Sequence, residues 1–219
     1  ASYYALCSFM DNNVKKVLDA LDASGVRDDT LIIYTSDHGE NLATRRLWGK
    51  SNMYEEAVAI PLILSGPGVP AAKVVNTPVT LAEGANTILV TMGLEEEANP
   101  MFQCWRRTAN APDDLARVAF SEYHATGADS AAFMIRNGTH KYIHYVGYPP
   151  ELFDLNTDPE EETNLAADPA HTATLTDLQA ELIKRTDPDR VNAAAQDSQS
   201  ALVERHGGRE AVLKIGSFQ

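Results

Sequence analysis

Two short apolar runs, Leu31-Ile32-Ile33-Tyr34 and Ile60-Pro61-Leu62-Ile63-Leu64, constrain the fold of this chain more than any other feature. Neither alternates apolar with polar residues. Each therefore reads as a strand covered on both faces, the pattern of parallel strands inside an α/β sheet. The first run leads into Thr35-Ser36-Asp37-His38-Gly39-Glu40, and the second closes on the turn Ser65-Gly66-Pro67-Gly68. Open α/β sheets collect ligands at the carboxyl ends of their strands, which is where Asp37 and His38 stand.

The flanking segments fit that architecture. Leu6, Phe9, Met10, Val14, Val17, Leu18 and Leu21 recur at helical spacing, opposite Asp11, Lys15, Lys16 and Asp19. Ser24-Gly25 ends this helix. Cys7 falls within the apolar pattern and is expected to be a buried thiol. Residues 40 to 53 read as an irregular loop carrying Arg45, Arg46 and Lys50, and residues 80 to 92 as a helix weakened by Gly84. Helix, strand, strand, helix is an α/β order.

The character changes after about residue 112. Residues 117–123, 131–136 and 141–145 are short strand-like runs, with Asn137-Gly138 between the last two, a strong hairpin signal. Residues 151–155 add another strand. The expectation is a small antiparallel sheet, covered on one face by an amphipathic helix over 174–185 (Leu175, Leu178, Leu182, Ile183). Residues 186–200 read as a polar linker and 201–214 as a last helix, interrupted by Gly207-Gly208. The domain division expected is 1–111, 112–185 and 186–219.

Composition excludes some functions. A net charge of −13 argues against nucleic acid or an anionic membrane as the main partner. The acidic clusters Glu95-Glu96-Glu97 and Asp158 to Glu162 read as solvated loops. Two cysteines, Cys7 and Cys104, make neither a disulfide framework nor a metal knuckle. No run of about eighteen apolar residues predicts a membrane span, and no signal peptide is readable. The compartment stays open, with the cytoplasm favoured.

The chemistry-bearing residues cluster near the first strand. A carboxylate oxygen and an imidazole nitrogen suit a hard or borderline divalent cation. Gly39 would let the chain leave the pleat so that Asp37 and His38 turn toward one ion. Asp37 could also cap a turn or helix; the buried strand before it and Lys50 after it favour metal ligation. Two protein ligands are too few for a tight catalytic site, so further carboxylates must come from elsewhere. Lys50, in Leu47-Trp48-Gly49-Lys50, can neutralise an oxyanion or a leaving alkoxide. Trp48 there can shield the site, and Gly49 can allow close approach. Arg45 and Arg46 read as solvated surface groups.

The stretch from Thr35-Ser36-Asp37-His38-Gly39-Glu40 through Leu47-Trp48-Gly49-Lys50 to Tyr54-Glu55 and Ile60-Pro61-Leu62-Ile63 resembles the metal-site half of the sulfatase family, within the alkaline phosphatase superfamily. Residues 3–18 resemble the helix preceding this strand in the family. Pro150-Glu151-Leu152-Phe153-Asp154-Leu155, Asp158-Pro159-Glu160-Glu161 and Asn164-Leu165 are similar to its C-terminal subdomain. The resemblance implies an α/β fold: the C-terminal part of an alkaline phosphatase-like α/β/α sandwich, then a small antiparallel-sheet subdomain with a packing helix.

The resemblance also implies a division of labour. In the family the metal, usually calcium, is held by two N-terminal aspartates and a pair matching Asp37 and His38. Histidine at that place resembles the choline-sulfatase and phosphonate monoester hydrolase branches, where manganese or zinc can replace calcium. Lys50 matches the lysine that contacts the sulfate group and the leaving oxygen. The family nucleophile is a formylglycine made from cysteine in Cys-x-Pro-x-Arg. Neither Cys7-Ser8-Phe9-Met10-Asp11 nor Cys104-Trp105-Arg106-Arg107-Thr108 matches that motif.

The expectation is therefore the C-terminal portion of a sulfate-ester hydrolase, inactive by itself. It would pair with an N-terminal half, or self-associate, through an exposed sheet edge. Its substrate would be a small-molecule sulfate ester. His124, at the end of a subdomain strand, is a candidate substrate contact as well as an ordinary polar loop residue. Tyr54 and Glu55 are candidates to support the lysine loop. Two rivals are a phosphonate monoester or phosphodiester hydrolase of the same superfamily, and a non-catalytic binding or subunit module.

Overall fold

The computed structural model of the chain describes residues 2–94, 99–125 and 127–215. The glutamate cluster at 95–97 lies outside them. The chain forms two compact units: one from 1–36, 61–75 and 82–112, the other from 37–60, 76–81 and 113–219.

The first unit opens with helix α1 (Ser2–Ser24). Its apolar stripe is laid out as the periodicity requires, but none of its described residues is buried, and Tyr4, Phe9 and Val17 are exposed. Cys7 is exposed too, which corrects the expectation of a buried thiol. The spacing specifies a helix face, not what covers it.

Strands β1 (Ile32–Thr35) and β2 (Leu62–Ser65) pair antiparallel, from Ile32 opposite Ser65 to Thr35 opposite Leu62. The expected parallel pairing is thus corrected. Nor are the strands covered on both faces as expected: no residue of either is buried and Ile63 is exposed. Apolar content specifies no direction, and these strands are direct neighbours that need no crossover. Helix α3 (Glu83–Thr91) and helix α4 (Trp105–Asn110) pack through two buried contacts. Thr87 Oγ1 accepts from the Trp105 amide at 2.9 Å, and the Trp105 ring lies over Gly84. Gly84 leaves room for that ring, which offsets its poor helix propensity. Lys73 closes α4 by donating to the carbonyls of Ala109 and Ala111, each at 2.7 Å.

The second unit is built on a four-stranded antiparallel meander: β3 (Val118–Tyr123), β4 (Ala132–Asn137), β5 (His140–Tyr145) and β6 (Glu151–Asp154), in that order. Asn137 pairs with His140, so the turn itself is Gly138-Thr139, with Gly138 at φ +55°. Alternation sorts the side chains between two faces. Phe133, Ile135, Tyr142 and Leu152 meet Leu178 and Leu182 of α5 (Thr172–Arg185), the helix expected there. Ala132, Met134, Ile143 and Phe153 face the other way and meet Met53, with Tyr54 and Val58 against them. The second face is therefore covered by the segment that carries Lys50, including helix α2 (Glu55–Val58).

The expected linker at 186–200 is a helix, α6 (Pro188–Arg205), followed by α7 (Arg209–Ile215). Its start is chemically defined: the Asp187 carboxylate accepts from the Arg190 amide at 3.1 Å, and Pro188 occupies the first turn. Composition pointed to a linker because α6 is mostly polar. It is held to the sheet by half-buried Val191, which packs against the core, and by Asn192 Oδ1, which accepts from the Ala131 amide at 2.8 Å.

Candidate active site

The second unit begins at Asp37, two residues beyond the end of β1. Gly39 anchors the start of its loop by donating to the Ala57 carbonyl at 2.8 Å. A Cβ on Gly39 would lie 1.9 Å from the Glu56 carbonyl oxygen. The glycine is required by close approach of two backbones, not by a positive φ.

Past Gly39 the chain makes a tight excursion. Leu42, Ala43, Arg45 and Arg46 all adopt positive φ, a sparsely populated conformation for residues with a Cβ. Buried Asn41 closes the excursion: its amide and its side-chain nitrogen both donate to the Gly49 carbonyl, at 2.9 and 2.5 Å. The Gly49 amide donates to Glu40 Oε1 at 2.6 Å. Lys50 emerges directly from this closed ring.

The three residues singled out in the sequence meet. His38 Nε2 is 2.6 Å from Lys50 Nζ and 3.3 Å from Asp37 Oδ2. His38 Nδ1 is 2.8 Å from the Gly39 carbonyl oxygen, which can only accept. Nδ1 therefore carries the hydrogen, and the Nε2 lone pair faces the Lys50 ammonium. That single lone pair can face either the Lys50 ammonium, as it does here, or a cation that displaces it. Burial pushes the Asp37 carboxyl up, but backbone hydrogen bonds, His38 and Lys50 outweigh it, leaving the group below its ordinary value of 3.8. Among the described residues no group of three or more His, Cys, Asp or Glu side chains is placed to hold a metal ion.

His124 follows the end of β3. Its ring Nε2 is 3.9 Å from Glu122 Oε1, and its carbonyl accepts from Gln199 Nε2 of α6 at 2.9 Å. Its neighbour Tyr123 donates to Ser51 Oγ at 3.0 Å, so this strand end borders the lysine loop. Nothing in that arrangement brings the His124 ring to the Asp37–His38–Lys50 group.

Beneath the loop lies a charge cluster that sequence reasoning missed. Lys141 is fully buried on β5, with its ammonium 2.7 Å from Glu55 Oε1 and 2.7 Å from Glu161 Oε1. Glu161, expected in a solvated loop, is 3% exposed, which corrects that reading. Glu55 Oε2 also lies 3.3 Å from Arg136. Arg45 pairs with Glu56 at 2.6 Å, donates to the Glu160 carbonyl, and stacks over the Tyr54 ring at 4.4 Å. It is not the solvated surface group expected.

Tyr54 and Tyr145 each donate to Glu151 at 2.9 Å; burial and that carboxylate raise both phenols above their ordinary values. The anticipated support from Tyr54 and Glu55 thus has a definite form. One signal was available: Lys141 sits two residues before Ile143 on a strand, on the same inward face, and a buried lysine demands a carboxylate.

The Sulfatase family model matches residues 1–94. Arylsulfatase K of Mus musculus is 34% identical over 179 residues, covering 77% of this chain and 32% of that protein. Choline-sulfatase of Rhizobium meliloti (strain 1021) is 33% identical over 208 residues, covering 91% of this chain and 40% of that protein. This chain belongs to the sulfatase family. A solved phosphonate monoester hydrolase from Silicibacter pomeroyi superposes on this sulfatase-family chain with a TM-score of 0.70 and 30% identity, covering 80% of this chain and 38% of that one. The α/β fold is shared. The chain spans 32% to 40% of the length of these curated sulfatases.

Proposed function

We propose that this chain supplies the metal-pair and lysine half of a sulfuric-ester hydrolase site. The observation that carries the reading is the meeting of Asp37, His38 and Lys50, with the His38 Nε2 lone pair turned toward the Lys50 ammonium. The Asp37 carboxylate and His38 Nε2 fit a divalent cation, calcium in the first instance, with manganese or zinc as alternatives. A cation bound there would act as a Lewis acid toward a sulfate oxygen. The remaining ligands come from residues outside those described here.

Lys50 binds and orients the sulfuryl oxygens and neutralises charge as it develops on the leaving alkoxide. His38, fixed by its bond to the Gly39 carbonyl, would turn Nε2 to the cation in place of the Lys50 ammonium that faces it here. The nucleophile, a formylglycine, comes from residues beyond this chain. Cys7 stands on exposed α1, Cys104 is buried at the start of α4, and neither has the proline and arginine of the motif. The exposed apolar residues of α1, among them Leu6, Phe9 and Val17, and the outer edges of β1 and β2 are where the rest of such a polypeptide would pack.

The test is made on the complete polypeptide from its source, after intact-mass analysis and peptide mapping for a Cys-x-Pro-x-Arg segment. Turnover of an aryl sulfate should fall about 10²–10³-fold in Lys50→Met. Chelation should abolish it, with recovery on adding back calcium. Undiminished turnover in K50M would overturn the reading. A native mass equal to the 23.9 kDa of this chain, without turnover, would favour a binding module or one subunit of a split enzyme. The similarity to phosphonate monoester hydrolase supports a second reading. A phenylphosphonate monoester assayed beside the sulfate separates the two by their kcat/KM values.

A further inference from the structure

We infer that Glu161 is a positioning residue for Lys50, acting as a buried clamp on both ends of the segment that carries it; the catalytic part of this inference rests on the role proposed for Lys50. Glu161 Oε2 accepts the Glu55 amide at 2.8 Å and lies 3.6 Å from Arg45 Nη2. Those two residues bracket 45–55, and Lys50 is at its midpoint. The other carboxylate oxygen, Oε1, receives the Lys141 ammonium at 2.7 Å, which ties the clamp to the sheet. The Glu161 side chain is fully buried.

Charge is required at this position. Two cations, Lys141 and Arg45, converge on one carboxylate. A neutral amide could still accept from the Glu55 N–H but would leave both cations under-compensated. The backbone is specialised as well. Glu161 holds φ +51°, in the region that costs a residue with a Cβ.

That conformation is enforced by the turn before it. Asp158 accepts the Glu162 and Thr163 amides on its carboxylate, at 3.1 and 2.9 Å, and the Glu161 amide on its carbonyl, at 3.2 Å. The acidic run Asp158-Pro159-Glu160-Glu161 is thus a device that presents one carboxylate inward. Because 45–55 also contains strained Arg45 and Arg46, an unclamped segment would relax and carry the Lys50 ammonium away from His38 Nε2.

The experiment compares parent, Glu161→Gln and Glu161→Asp in the complete polypeptide, by hydrogen exchange and by steady-state kinetics. Amides of 41–55 should exchange about tenfold faster or more in E161Q, while those of α5 change less than about twofold. The kcat should fall about tenfold or more with KM little changed, and E161D, which keeps the charge, should recover part of both effects. If E161Q does not yield folded protein, Arg45→Gln loosens the same grip from its partly exposed side, and the same selective exchange is expected.

Exchange at 41–55 equal to the parent's would overturn the clamp. So would a uniform rise that includes α5, the mark of general loosening. Faster exchange at 41–55 with unchanged kcat would overturn the link to Lys50. A K50M variant with full activity would instead dismiss the proposed role of Lys50, while the exchange result still decides the clamp.

Discussion

Replacing Lys141 with methionine tests whether the buried charge cluster is an interacting unit. Methionine preserves most of the hydrocarbon stem, so the perturbation is loss of the ammonium. Two carboxylates 2.7 Å from it lose their partner: Glu161, fully buried, and Glu55, whose side chain is 24% exposed. Breaking a buried pair costs about 3–5 kcal/mol. The Glu55 share is discounted for solvent screening, and Glu161 keeps the Glu55 amide and Arg45. The expectation is therefore the low end, about 3 kcal/mol. For a chain of this size that lowers the melting temperature by roughly 6–12 °C, readable by calorimetry. The decisive comparison is a double-mutant cycle. In the Lys141→Met background, Glu161→Gln should cost less than it does alone, because the carboxylate has already lost one of its two cations and keeps only Arg45 and the Glu55 amide. A K141M cost below about 1 kcal/mol, or equal costs for E161Q in both backgrounds, would refute the coupling.

Gly39→Ala should cost about 1–3 kcal/mol, since the new methyl meets a backbone carbonyl that cannot rotate aside. It should also weaken divalent-cation binding by the complete polypeptide; an unchanged melting temperature in G39A would contradict the close approach. Gly84→Ala gains about 1 kcal/mol of helix propensity, yet its Cβ would stand 2.7 Å from the buried Trp105 ring, so the melting temperature should fall rather than rise. Burial holds the His144 imidazole below its ordinary value of 6.5, against a smaller opposing pull from Asp189. A depressed value means the fold prefers the neutral ring. Its contribution is complete above pH 6.5 and is lost as pH falls through the lower folded value. Urea midpoints of His144→Gln should consequently fall less steeply with acid than those of the parent; parallel curves would exclude the ring as a source of acid sensitivity.

Local signals were legible where the chemistry is local. The Asn137-Gly138 hairpin, the α5 stripe and the proximity of Asp37, His38 and Lys50 all follow from residues within about a dozen positions of each other. The direction of β1 against β2 and the degree of their burial did not, because an apolar run specifies neither its partner's orientation nor what covers it. Helix α6 was misread through composition, although Asp187-Pro188 at its start is a cap and first-turn pair that composition ignores. The exposure of Cys7 shows the reverse error, a helical stripe taken as proof of a covering partner. Arg45, Glu55, Lys141 and Glu161 were hardest to read. Glu55 and Glu161 are separated by over a hundred residues, so no window of sequence displays their meeting.

The register of the sheet shows why that meeting is necessary. Arg136 on β4 stands directly opposite Lys141 on β5. Like charges at facing positions of an antiparallel pair repel, and Lys141 is fully buried, where the repulsion is least screened. Glu55 resolves the conflict from outside the sheet, with Oε1 on Lys141 and Oε2 on Arg136. Glu161 takes the remaining demand of Lys141. The sheet thus carries on one face a pair of cations that it cannot itself neutralise, and the segment bearing Lys50 supplies the missing charge. An apolar pair at those positions would serve the sheet as well or better, but it would offer Glu55 nothing to bind. The cationic pair makes docking of the lysine segment a condition of the sheet's own stability, coupling the order of the candidate site to the folding of the subdomain beneath it.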